Sequence, residues 1–389
     1  MEKIQMIYHI FNSSLISGPE TLAMPALAAI KDKAQIIWLR EARISDEKQK
    51  HVASYMKSYG LTYHTIKVAS RFDKEAVSQL ADLLEKTPQL EVAHAHDVKA
   101  SFYLLKASEK IRNRKFQTVS THHGVFARSG FVNLCYENFY ARFILPKFDR
   151  TLTVCSSDRM VLINRGLNPK KVVAHLNGVT RTRISQNDRA VVQKKIRSDW
   201  GLDVSADTFV FGVAARLDHE KRHFLILDVA HELKNNYPGF KFVILCFGRG
   251  PLEKKLKEKA KSLRLENNIL WQGYRSHLGQ EFAGFDSLLS LSKAEGLPIN
   301  LIESGWAATP VFASNVNGVG DLVTDESLGA LVTVDEDVKT IATKIVSFAA
   351  SKEQLTKVGQ NFQAHVEKHF SQAEWLKRLL EIYSMGKEV

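Results

Sequence analysis

Two glutamates eight residues apart, Glu295 and Glu303, lie in the segment SKAEGLPINLIESGWAATPVFAS at 292–314. Glu295 follows a short apolar run. Glu303 falls in the helix-like stretch that the Gly296-Leu297-Pro298 turn opens. Carboxylates placed in this way can accept hydrogen bonds from ligand hydroxyls at the edge of a sheet. The same pair also fits a helix-start carboxylate beside an exposed one. A second segment, FGVAARLDHEKRHF at 211–224, puts Arg216 at the end of an apolar run and Lys221 five residues later, where a helix pattern begins. Two cations at a strand end and a helix N-terminus suit a diphosphate; a solvated helix start accounts equally for either cation alone. In CFGRGPLEKKL, Gly248 and Gly250 mark another strand-to-helix turn. There the backbone either approaches a ligand closely or simply turns.

These residues need a scaffold, and the hydrophobic pattern supplies one. In the second half the apolar runs are TFVFGVA, KFVILCFG, NILWQG, SLLSLS, TPVFAS and LGALVTV, with amphipathic helix patterns between them. The first half repeats the plan with IQMIYHIF, QIIWL, TYHTIKV, EVAHAH, FQTVSTHH, LTVCS and KVVAHL. Continuous apolar strands alternating with helices predict doubly wound parallel sheets. The fold expected is α/β, with two Rossmann-like domains facing across a cleft. The polar stretch at 181–205 marks the boundary, giving domains 1–185 and 186–370. Residues 371–389 carry Trp375, Leu379, Leu380 and Tyr383 at helical spacing, so a terminal helix is expected to pack back on the first domain. Open α/β sheets bind ligands beyond the carboxyl ends of their strands.

The order and spacing of Arg216-x4-Lys221, FGRGP, Glu295-x7-Glu303, Asn177-Gly178-Val179 and SNVNGVGDLV closely resemble glycosyltransferase family 4, of GT-B fold. The resemblance implies a retaining, metal-independent glycosyltransferase that uses a nucleotide-diphosphate sugar as co-substrate and needs no other cofactor. It assigns Arg216 and Lys221 to the donor diphosphate, Glu295 to the transferred sugar and Glu303 to the ribose. It adds Gly18, Gly248, Gly296 and Leu297 to the donor-binding set. Gly18 stands there for the first N-terminal loop, Ser17-Gly18-Pro19-Glu20, which is poorer in glycine than the family's usual loop. Thr121-His122-His123-Gly124 resembles the family's strand-ending His-Gly motif, which places His123 near sugar and acceptor. A lone histidine is otherwise an ordinary core or surface imidazole. With no nucleophile evident, attack by the acceptor on the leaving-group face is expected, the diphosphate oxygen acting as base; a double displacement stays open.

The formal net charge is +12 and unevenly spread. Met1–Thr180 holds 26 Lys+Arg against 16 Asp+Glu, a net of +10, and the remainder holds 28 against 26, a net of +2. The first half is therefore expected to face an anionic partner: nucleic acid, membrane surface or acidic glycan. No nucleic-acid motif accompanies the charge, which sets nucleic acid aside. Lys99, Lys106, Lys110 and Arg114 fall at spacings of seven, four and four in VKASFYLLKASEKIRNRKF, and an aromatic-rich stretch follows. Read as one helix face, they suit an anionic membrane; a solvated face suits them equally. The acceptor expected is a glycan or a lipid-linked glycan of surface-polysaccharide type.

No run is long and apolar enough to span a bilayer, and no signal peptide is read at the N-terminus. Cys135, Cys155 and Cys246 form no CxxC pair and read as reduced thiols in a cytoplasmic protein, peripheral at most to the inner membrane face. His94, His96, His122 and His123 raise the question of zinc. His94 and His96 are taken to point to opposite strand faces, and no Cys or carboxylate completes a set, so no metal site is expected. Asp335-Glu336-Asp337 holds a DxD triplet but reads as a helix-start charge cluster. Competing readings are an epimerase-like nucleotide-sugar enzyme and a non-catalytic polyanion binder.

Overall fold

The computed structural model describes residues 4–14, 16, 18–70, 72–123, 138–202, 205, 207–275 and 278–385. Every apolar run named above becomes one strand. The chain forms two compact units, Met1–Gly178 with Gln372–Val389, and Val179–Ser371.

Unit 1 is built on a seven-stranded parallel sheet. Its strands are β1 (Met6–Phe11), β2 (Ala34–Glu41), β3 (Tyr63–Val68), β4 (Leu90–Ala95), β5 (Gln117–His122), β6 (Arg150–Thr153) and β7 (Val172–Ala174), in the order β3-β2-β1-β4-β5-β6-β7. The crossovers include α1 (Gly18–Leu27), α2 (Asp46–Ser58), α3 (Lys74–Glu85), α4 (Val98–Ser108) and α5 (Ser156–Asn164). The central strands are buried on both faces, which is why they read as unbroken apolar runs. Asp73 and Asp97 start α3 and α4 by accepting backbone N–H groups of Ala76 and Ala100. The order reverses between β1 and β4.

Unit 2 has a six-stranded parallel sheet in the order β10-β9-β8-β11-β12-β13. Its strands are β8 (Phe209–Ala214), β9 (Phe242–Phe247), β10 (Ile269–Gly273), β11 (Ser287–Ser290), β12 (Val311–Ser314) and β13 (Gly329–Val332). Its helices among the described residues are α6 (Gln186–Asp199), α7 (His223–Asn236), α8 (Glu253–Ser262), α9 (Ile299–Trp306), α10 (Val319–Leu322), α11 (Val338–Phe348) and α12 (Lys352–His369). Here the order reverses between β8 and β11, and a reversal is where open sheets leave a crevice for ligands.

The polar stretch expected to be a boundary turns out to be helix α6, packed into unit 2, and the division falls earlier, after Gly178. Its polarity has a structural use. Arg189 donates to the Phe285 carbonyl (3.1 Å), Arg197 to the Gly284 carbonyl (2.8 Å), and Arg197 also pairs with Asp286 at 2.9 Å. The last helix, α13 (Gln372–Ser384), groups with unit 1. It buries Trp375, Leu379, Ile382 and Tyr383, while Leu380 is half-buried. The Tyr383 hydroxyl meets His94 Nδ1 at 2.5 Å, and His175 Nε2 donates to the Trp375 carbonyl at 2.9 Å.

Candidate functional site

In unit 2 the β8/β11 reversal brings together charged residues that the sequence singled out. The chain leaving β8 runs through Arg216 and Asp218 to Lys221, and the chain leaving β11 brings Glu295. Lys221 Nζ meets Glu295 Oε1 at 2.5 Å, with the lysine side chain 22% and the glutamate 10% exposed. Backbone bonds hold the two loops together: Lys293 N–H donates to the Glu220 carbonyl at 2.8 Å. Asp218 organises the first loop by accepting from Lys221 N–H (3.2 Å) and pairing with Arg216 (3.1 Å). Arg216 is otherwise turned to solvent, its side chain 77% exposed. Arg222 closes the loop in the left-handed region, at φ 50°, and donates to the Val334 carbonyl.

Helix α9 begins beside this pair. Pro298 before it supplies no cap; Asn300 Oδ1 accepts from Leu301 N–H at 3.0 Å, and the Asn300 amide donates to the Ala214 carbonyl at 2.9 Å, tying the helix to the end of β8. Leu297, in the turn before it, is buried, and the Gly296 carbonyl accepts from Gly318 N–H at 3.0 Å. Both therefore fix the turn that carries Glu295. One turn into α9, Glu303 is 13% exposed and accepts from Arg181 at 2.7 and 2.6 Å. Sequence reasoning missed Arg181, because nothing local signals a partner 122 positions away. A helix start, two cations and two carboxylates on one sheet edge can bind an anionic group flanked by hydroxyls.

The glycines of the FGRGP turn pack against this loop. A Cβ on Gly248 would lie 1.9 Å from the Ala215 carbonyl oxygen, and one on Gly250 would lie 2.3 Å from that of Leu217. Gly248 also adopts φ +149°. The close approach that excludes a side chain is thus to the protein's own backbone, on either side of Arg216. The DxD triplet behaves as a helix start: Asp337 caps α11 through Thr340 N–H at 3.0 Å, and Glu336 pairs with Lys344 at 2.9 Å.

In unit 1 the carboxyl ends of β1, β4 and β5 bring together imidazoles. His94 and His96 share one face, contrary to the sequence expectation, because side chains along a strand alternate with period two. Their ring centroids are 4.1 Å apart. With His9 they place ring nitrogens within 4.8 Å of one another. His9 Nδ1 meets His96 Nε2 at 2.8 Å, and both His94 nitrogens are taken, by Tyr383 and by Thr121 (2.7 Å). The trio is therefore a hydrogen-bonded core whose third imidazole has no nitrogen left for an ion. Burial keeps all three neutral: His9 falls to about 3, and His94 and His96 lie well below the ordinary value. His123, just past β5, is stacked 6.2 Å from His96, and burial lowers it to about 3. Its Nε2 is enclosed without a hydrogen-bond partner, so it offers a neutral ring nitrogen. Gly124 and Ser17 lie outside the described residues. Gly18 is the first residue of α1, and Pro19 behind it has no N–H to offer an anion. Glu20 is buried and accepts from the Ser13 hydroxyl.

The four-cation helix face does not form. Helix α4 ends at Ser108, because Ile111 and Phe116 turn inward to the core and the chain folds back into β5. Arg114 forks onto Asp149 at 2.8 and 3.1 Å, Lys99 pairs with Glu41 at 2.7 Å, and Lys106 pairs with Glu109 at 2.6 Å. Beside them stands an aromatic patch. Phe72, Phe139 and Phe143 are 66%, 52% and 52% exposed. Phe72, Phe102 and Phe139 border a cavity of about 180 Å³ that Val98, Lys99, Tyr140 and Ile144 also line. Among the described residues no helix is long and apolar enough to cross a membrane. Cys155 and Cys246 are buried, and Cys135 lies outside the described residues.

Residues 39–183 match the family described as Glycosyltransferase Family 4, and residues 194–365 match Glycosyl transferases group 1. The chain is a family-4-like glycosyltransferase of GT-B fold. Its fold is similar to that of Anabaena Alr3699/HepE, solved in complex with UDP, at a TM-score of 0.79 and 18% identity, covering 98% of this chain and 100% of that one. A lipopolysaccharide core biosynthesis mannosyltransferase of Rhizobium meliloti, LpsB, is 24% identical over 221 residues, covering 55% of this chain and 60% of that protein. An Escherichia coli UDP-Gal:alpha-D-GlcNAc-diphosphoundecaprenol alpha-1,3-galactosyltransferase is 26% identical over 192 residues, 48% of each protein. The chain thus spans roughly half to three-fifths of these two curated relatives.

Proposed function

We propose that this glycosyltransferase moves a sugar, with retention of configuration, from a nucleotide-diphosphate sugar to a glycan or lipid-linked acceptor in surface polysaccharide or glycolipid synthesis. The observation that carries the reading is the Lys221–Glu295 pair at the β8/β11 reversal, with Arg216 on the same loop and Glu303 on the adjoining helix. The diphosphate gains negative charge as its bond to the sugar breaks. Lys221, Arg216 and the start of α9 meet that charge where it develops, so the reading needs no metal. Glu295, held by Lys221, is assigned to accept from a sugar hydroxyl, and Glu303 from the ribose. The acceptor hydroxyl attacks on the face the diphosphate leaves and gives its proton to a diphosphate oxygen. His123 is assigned to the acceptor side, as a neutral hydrogen-bonding ring.

UDP bound to HepE supports a uridine nucleotide as donor, and the diphosphoundecaprenol acceptor of the Escherichia coli relative supports a lipid-linked acceptor. The exposed Phe72, Phe139 and Phe143 support contact with a bilayer surface, since aromatic side chains enter the membrane interface. The test separates the two carboxylates. Glu303→Gln should weaken UDP binding in calorimetry, whereas Glu295→Gln should spare UDP and lower turnover of the full donor. Equal loss of UDP affinity in both variants would remove the assignment.

A further inference from the structure

Arg181 belongs to unit 2 and is set against α9 by more than its own side chain. Two residues before it, Val179 donates its N–H to the Phe370 carbonyl at 2.8 Å and accepts from Trp306 Nε1 at 2.7 Å. Trp306 lies on the same helix as Glu303, so the segment and the carboxylate share one frame. Both contacts from Arg181, from Nε and from a terminal nitrogen, go to the same oxygen, Glu303 Oε1. A guanidinium free to choose would fork across both oxygens of a carboxylate, as Arg114 does on Asp149. At Glu303 it is held to one side, and Oε2 is left for another donor. The pair is mostly enclosed, with side chains 21% and 13% exposed, and a carboxylate this far from water needs a fixed partner.

We infer that Arg181 is a positioning residue for the donor nucleotide: it holds Glu303 by Oε1 and so presents Oε2 to the hydroxyls of the ribose. The inference rests on the ribose role proposed for Glu303. Arg181 acts through that carboxylate and touches no reacting atom. Its effect should therefore exist only for nucleotides that carry ribose hydroxyls.

The test is calorimetric titration of the parent, Arg181→Gln, Arg181→Lys, Glu303→Gln and the Arg181→Gln/Glu303→Gln double variant. The probes are UDP and GDP with their 2′,3′-dideoxy counterparts, and thermal melting of each variant checks that unit 2 is folded. Arg181→Gln should weaken the ribonucleotide by about tenfold, the low end for a charged hydrogen bond. Arg181→Lys should recover part of that loss. The dideoxy nucleotide should bind the parent and the folded variants alike, and the double variant should be no weaker than Glu303→Gln alone. Equal weakening of both nucleotides by Arg181→Gln would overturn the inference, as would no weakening or additive losses in the double variant. If Glu303→Gln itself leaves ribonucleotide affinity unchanged, or the parent binds neither nucleotide, the underlying ribose reading fails as well.

Discussion

Replacing Lys221 with alanine should do more harm than the loss of one phosphate contact. Its ammonium lies 2.5 Å from Glu295, and neither side chain is more than a quarter exposed. Removing one member of a fully buried pair costs about 3–5 kcal/mol, while an exposed pair contributes about 0–1. With 22% and 10% exposure, roughly 1–3 kcal/mol of unit 2 stability should disappear. On the binding side, a charged hydrogen bond to the diphosphate contributes about 1.5–3 kcal/mol, which is roughly a 10- to 150-fold loss of UDP affinity. The orphaned Glu295 carboxylate then faces the diphosphate and deepens that loss. Lys221→Ala/Glu295→Gln should therefore bind UDP more tightly than Lys221→Ala alone, even though it lacks both charged groups. Calorimetry on the four members of this cycle, with urea melts for stability, measures both halves. Strictly additive UDP affinities across the cycle would refute the coupling, and an unchanged affinity in Lys221→Ala would refute the diphosphate role.

Gly248→Ala must relieve a 1.9 Å approach to the Ala215 carbonyl at φ +149°, so it should destabilise unit 2 by about 2–4 kcal/mol and displace Arg216. Urea denaturation and UDP titration check this; a near-neutral variant would show that the turn has room to spare. In unit 1, burial lowers His9 and His123 to about 3 and His122 and His175 to about 4. Groups whose folded value is depressed contribute fully above the unfolded value near 6.5 and lose that contribution as pH falls. A group held near 4 loses about 2 kcal/mol between pH 7 and pH 5. The calorimetric transition of unit 1 should fall steeply over that window while that of unit 2, with His223 as its one deeply lowered imidazole among the described residues, falls less; parallel shifts would contradict this. Replacing Phe72 and Phe139 with serine should reduce co-sedimentation with anionic vesicles at low salt and leave UDP affinity unchanged. Equal sedimentation of variant and parent would remove the aromatic patch from the membrane reading.

The strands were legible because a parallel strand buried on both faces leaves an unbroken apolar run, as in FVFGVA and FVILCF. The meeting of Lys221 with Glu295 was legible because each lies where a strand gives way to a helix. Position 181 was not, since its partner is set by tertiary packing. The polar segment 186–199 misled because its arginines satisfy carbonyls across unit 2, a use that looks in sequence like solvation. The cations at 110 and 114 misled because helical spacing was extended past Ser108, where buried Ile111 turns the chain. The imidazoles at 94 and 96 were misjudged by a wrong strand period, and their contact with Tyr383 spans 289 positions.

The return of α13 to the first sheet makes unit 1 discontinuous in the chain, while unit 2 is one uninterrupted stretch. Synthesis runs from the N-terminus, so on the ribosome the second unit has all of its residues before the first does. Until the final helix emerges, His94 lacks the Tyr383 hydroxyl and His175 lacks the Trp375 carbonyl. The basic half of the protein must therefore wait, with part of its core uncovered, until the other half has been made. A nascent chain of this kind offers its longest-lived sticky surface to chaperones at the N-terminal unit, and the last helix acts as the latch that ends that exposure.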